Sequence, residues 1–254
     1  MIDGALLFQD LAPAVEFGWS GRVFVFVLLV GVPFLALLQP DDRELVLPPR
    51  SSLYVSAIAG ILILAMITVL VLILEDTSLA AIGLHGTSLP GFLGWTVAVT
   101  VATLAGNFVI SRAAHGLGLR ESRLTYHLMP RSVRDRRLFM GVSASAGFGE
   151  ELTYHGFLLV GLNGWLGNGW LAAVIANLAF GVLHGYQGPA GIVRAFAMGY
   201  VLCLPVIVGA GLWPSITAHF LVNALLGLGL WKLMVSSEEM AALASEEESE
   251  LDTD

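Results

Sequence analysis

Three short motifs place ionisable or amide side chains where lipid-soluble residues are expected. The first is "GFGEELTYHG", with Glu150 and Glu151 adjacent and Tyr154 and His155 following. The second is "FGVLHG", with Phe180 and His184 four residues apart. The third is "HFLVN", with His219 and Asn223 at the same spacing. Between Asp135 and Glu238 the chain has no acid other than Glu150 and Glu151. A spacing of four puts two side chains on one helix face. Glu150 therefore lies over Tyr154, Glu151 over His155, and His219 over Asn223. Asn177 comes two turns before His184 and shares its face. A charge at mid-bilayer costs about 2.5 to more than 10 kcal/mol, so these faces must turn to a protein interior or a wet cavity.

Together the set suits hydrolysis. Glu150 can act as general base toward water. His184 and His219 can hold that water, ligate a metal or help stabilise an oxyanion. Asn223 can donate an amide hydrogen to the oxyanion. Glu150, His184 and His219 also form a two-His, one-carboxylate set of the kind that binds Zn²⁺ with one position open for water. HExxH is absent, so the sequence does not force a metal. The competing readings are polar contacts that glue helices together and a proton or ion relay. Arg194 is expected to snorkel to the surface and Asn107 to be a packing contact. His85, His115 and His127 lie in loops without a motif.

The elements that carry these motifs are membrane helices. Of 254 residues, 56% are apolar and 13% charged, against about 25% charged in soluble domains. Ser52 to Leu74 and Gly91 to Ser111 carry no charge at all, and about 20 such residues cross a bilayer core. The expected fold is an all-α, multi-pass transmembrane helical bundle of about seven to eight spans. Seven are placed, near Phe17–Leu38, Ser52–Leu74, Gly91–Ser111, Arg137–Leu162, Gly169–His184, Ile192–Val208 and Leu212–Leu230. Met1 to Gln9 lacks a basic n-region, so no cleavable signal is expected. Cys203, the single cysteine, excludes an intrachain disulfide and reads as a small core hydrophobe.

The net charge is −8, and the tail after Val235 holds eight carboxylates and no base. The body is therefore neutral, and the acidic tail argues against a nucleic-acid partner. The chain divides into residues 1–136 (N-terminal helices and an Arg-rich loop), 137–235 (the motif-bearing core) and 236–254 (an acidic tail expected to be disordered). The Arg112 to Arg137 segment has seven Arg against two acids, so the positive-inside rule makes it cytoplasmic, together with the acidic C-terminus. "SVRD" begins a capping-box-like helix start at Ser132 and Asp135.

At the three motifs the chain resembles the CPBP family, which contains the CAAX proteases and bacteriocin-processing enzymes. It is also called the Abi or type II CAAX prenyl endopeptidase family. The family pattern is EExxxR, FxxxH and HxxxN or HxxxD, each on a membrane helix. Glu150 and Glu151, Phe180 and His184, and His219 and Asn223 match it in order and spacing across about Leu138 to Leu230. The family's Arg is His155 here, which implies a substitute for it, such as Arg194. The resemblance implies a metallo- or metal-independent intramembrane endopeptidase acting on a membrane-associated peptide or protein. Its first Glu and second-motif His would activate water, and its third motif would stabilise the oxyanion. Glu151, Tyr154, His155, Phe180 and Arg194 would support the site. The alternative is a non-catalytic membrane scaffold or a proton-coupled transporter, and no inverted repeat of the transporter kind is visible.

Overall fold

The computed structural model describes residues 12–39, 47–119 and 122–233. The acidic tail and the Met1 to Gln9 segment lie outside them. Among the described residues all regular structure is helical. Seven long helices fall where the apolar segments are expected: α1 (Trp19–Leu37), α2 (Arg50–Leu74), α3 (Leu89–Gly116), α5 (133–166), α6 (Gly169–Leu183), α7 (Gly188–Leu202) and α8 (Trp213–Gly227). A short helix, α4 (Arg123–His127), joins α3 to α5.

Among the described residues, four stretches are long and apolar enough to cross a membrane by length and composition: α1, α2, α3 and Gly169–Ile207. The difference from seven spans has a physical cause. Helices α6 and α7 have 15 residues each, about 22 Å at 1.5 Å per residue, short of a bilayer core of about 30 Å. They fold back on each other through a 3₁₀ turn at His184–Gln187 and count as one stretch. Helix α8 is also 15 residues long, and α5 carries the acids.

Helix α5 is the centre of the bundle. It packs against α2, α6 and α8, while α3 packs against α7 and α8. Residues 151–163 are buried without interruption. A helix buried all round needs apolar residues on every face except where polar groups pair. Leu152, Phe157, Leu158, Leu159 and Val160 meet that demand. The outer helices show the converse pattern. Phe34 on α1, Met66 and Leu70 on α2, and Val97 and Val101 on α3 are exposed, as a lipid-facing surface requires.

The start of α5 follows the sequence signal. The Ser132 hydroxyl accepts from the Asp135 N–H at 3.0 Å, and the Asp135 carboxylate accepts from the Ser132 N–H at 3.0 Å. Half-way along, α5 changes winding: Glu151–Leu158 is a π-helix between two α-helical segments. Such segments recur at functional sites, and this one contains the second acid of the paired motif.

Candidate active site

Glu150 is the last residue before the π segment and Glu151 the first within it. The two acids part company there. Glu150 lines a cavity of about 290 Å³ together with Phe180, His184, Arg194, His219 and Asn223. Glu151, expected to support the site, does not line the cavity: it is fully buried behind the wall. Adjacent residues on one helix point about 100° apart, and here that turn carries Glu151 away from the opening toward His155 and His219.

His184 sits at the C-terminal end of α6. Its Nδ1 lies 2.8 Å from the Phe180 carbonyl, which can only accept, so Nδ1 carries the hydrogen and Nε2 is left as the second ring nitrogen. The Phe180 ring packs on His184 at 4.6 Å and on Tyr154 at 5.3 Å between centroids. The FxxxH spacing thus makes Phe180 both the carbonyl that orients His184 and the ring that buttresses it.

His219 arrives from α8. Its Nδ1 is 2.7 Å from Glu151 Oε1, and its Nε2 is 3.9 Å from Glu150 Oε2. The imidazole therefore stands between the buried acid and the cavity acid. Gly147, one turn earlier on α5, permits this approach: a Cβ there would lie 2.9 Å from the Ile216 carbonyl and 3.0 Å from the Phe220 nitrogen.

Tyr154 and His155 do not reach the cavity and are fully buried. His155 pairs with Glu151 one turn back, at 2.6 Å. Asn177 points to His155 Nε2 at 2.9 Å rather than into the cavity beside His184. Arg194 is expected at the surface. It lines the cavity instead, and donates to Ser111 Oγ at 3.2 Å and Gln187 Oε1 at 3.1 Å. Asn107, expected to be packing, also lines the cavity, as do Tyr186 and Gln187. The last two adjoin the second motif, in "HGYQG", and a polar pair in an apolar stretch was the available signal.

As a metal site, Glu150, His184 and His219 are not gathered. Among the described residues no group of three His, Cys, Asp or Glu is disposed to hold an ion.

Residues 135–225 match the family described as Type II CAAX prenyl endopeptidase Rce1-like. The matched segment is similar to that family and covers about a third of the chain. It takes in all three motifs, from the start of α5 to just beyond Asn223. Comparison with curated proteins and with solved structures returned no match. Within the matched segment, α5 supplies both acids, α6 the Phe–His pair and α8 the His–Asn pair. Helices α1 to α3 lie outside it, yet α2 and α3 complete the cavity through Tyr54, Ile61, Thr103 and Asn107.

Proposed function

We propose that the protein is an intramembrane endopeptidase that hydrolyses a peptide bond of a membrane-associated substrate, with Glu150 as general base. The observation that carries this reading is that Glu150, His184, His219 and Asn223, drawn from three helices, line one cavity. The match of residues 135–225 to a protease family supports it. Water held between Glu150 and His184 attacks the scissile carbonyl, and Glu150 accepts its proton. The Glu150 carboxyl then passes that proton to the leaving amine. Asn223 donates its amide hydrogen to the oxygen that becomes negative, and His219 Nε2, a bare acceptor 3.9 Å from Glu150 Oε2, helps hold the attacking water. With Nδ1–H committed to Glu151, His219 presents Nε2 to the cavity. The rest of the cavity is largely apolar, with Ile61, Phe139, Met198, Leu202 and Leu226 among its walls. That lining suits an apolar substrate segment entering from the membrane.

The test is cleavage of a broad peptide library by purified protein in detergent, with and without a chelator. Glu150→Gln keeps the shape and removes the base, and turnover should fall by about 10²-fold or more. Activity that survives metal stripping supports a metal-free route; loss on stripping and return with Zn²⁺ supports the ligand set. A folded Glu150→Gln variant that cleaves as fast as the parent overturns the mechanism. A folded parent that cleaves nothing favours the scaffold reading.

A further inference from the structure

Four buried polar side chains form a chain behind the cavity: Asn177 on α6, His155 and Glu151 on α5, and His219 on α8. The direction of each hydrogen bond can be read from groups that have no choice. The Ala173 carbonyl can only accept, so the Asn177 amide donates to it through Nδ2, at 2.9 Å. That orientation turns Asn177 Oδ1 toward His155 Nε2, at 2.9 Å. A flipped amide would set two carbonyl oxygens against each other. Oδ1 can only accept, so His155 Nε2 carries a hydrogen.

The other nitrogen of His155, Nδ1, lies 2.6 Å from Glu151 Oε2. Were both atoms bare, two lone pairs would face each other and a net negative charge would be buried with no solvent. Burying an unpaired charge is among the most costly arrangements in a protein interior. One proton must therefore sit in that contact. It belongs either to His155, giving imidazolium and carboxylate, or to Glu151, giving imidazole and carboxylic acid. Both forms sum to zero charge. In both, Glu151 Oε1 remains an acceptor, and His219 Nδ1 at 2.7 Å must donate to it.

We infer that Glu151 and His155 share one proton, form a net-neutral buried pair, and through it lock His219 in the Nδ1–H form that presents Nε2 to the cavity. His155 is thus a positioning residue. It touches neither the cavity nor His219, and acts through Glu151. The inference deepens the proposed hydrolytic reading, because His219 is the group whose orientation it sets. Cys203 Sγ meets the Asn177 amide at 3.6 Å, and Thr153 Oγ1 pairs with Thr68 Oγ1 at 2.9 Å; the ionisable neighbour in contact with the pair is His219, which in turn lies 3.9 Å from Glu150.

The experiment combines nitrogen NMR of ¹⁵N-histidine-labelled protein in detergent, thermal unfolding and peptide cleavage. In the parent, His155 should show hydrogen on Nε2 and a shared proton at Nδ1, and His219 the Nδ1–H form. His155→Gln leaves Glu151 an uncompensated carboxylate beside His219, so His219 should shift to the imidazolium, with hydrogen on Nε2 as well as Nδ1, and kcat should fall at least tenfold with little change in KM. His155→Arg supplies a permanent cation and should return the His219 signal. Unfolding temperature provides a readout free of catalysis. His155→Gln leaves a lone buried carboxylate, so it should melt lower than the double variant Glu151→Gln with His155→Gln, which removes both partners. A double variant that melts below His155→Gln overturns the inference, as does a parent spectrum with no hydrogen on His155 Nε2 or none on His219 Nδ1. Absence of cleavage by the parent refutes the proteolytic reading alone, because the spectra and the melting order still decide the pairing.

Discussion

Replacing Gly147 by alanine tests whether the α5–α8 contact sets the site geometry. The new Cβ would sit 2.9 Å from the Ile216 carbonyl oxygen, 3.0 Å from the Phe220 nitrogen and 3.1 Å from Phe220 Cβ. Two of these atoms are backbone, so no rotamer change relieves the contact. Ordinary contact begins at 3.4 Å, so α8 must retreat by about 0.5 Å. The retreat falls on His219, which occupies the same stretch of α8. The bond from His219 to Glu151, now 2.7 Å, would lengthen to roughly 3.2 Å. Overpacking of this kind costs about 1–3 kcal/mol. A misplacement of about 1 Å costs about 10²-fold in rate, so half of that should cost about tenfold. The assay is paired measurement of unfolding temperature and peptide turnover in detergent. Gly60→Ala on α2 is the control, because a Cβ there meets nothing within 4 Å. Gly147→Ala with parental turnover and parental unfolding temperature would refute the reasoning.

Glu75 ties the end of α2 to the start of α1. Its carboxylate accepts from the Ser20 hydroxyl, from the Gly18 N–H, and from the Gly21 N–H at 2.8 Å. The Ser20 hydroxyl above all, then these backbone donors, hold its carboxyl below the usual carboxylate range, against the opposing effect of burial. A carboxyl lowered by folding contributes stability above its unfolded pKa of about 4.3, and that contribution is lost as pH falls through the lower folded value. Glu75→Gln should therefore melt below the parent at pH 7, and the gap should close in acid; equal melting at pH 7 would count against the tie. Orientation is testable with Val133→Cys, since Val133 is exposed at 62% and Cys203, the native thiol, is buried. Reaction with a membrane-impermeant reagent is expected only after cells are opened, as a cytoplasmic Arg-rich segment requires, and ready labelling of intact cells would reverse the topology.

What could be read without coordinates was whatever depends on short spacing or on solvent preference. Charge-free runs marked the outer helices, because lipid admits no uncompensated charge. The Ser132 and Asp135 spacing placed the start of α5, because a capping box closes within one turn. The pairing of Glu151 with His155 followed from a separation of four residues. Distances between helices were beyond that reach. Whether Glu150 or Glu151 faces the cavity depends on the rotation of α5 against α2 and α8, and the π segment changes that rotation in mid-helix. The turn of Asn177 toward His155, and of Arg194 and Asn107 into the cavity, is set by neighbours far away in sequence. The short length of α6 was legible, since its apolar run ends at His184; that α6 and α7 fold against one another was not, because it depends on packing between them. Local periodicity chose which residues share a face; only packing of separate helices, made close by Gly147, decided which faces meet.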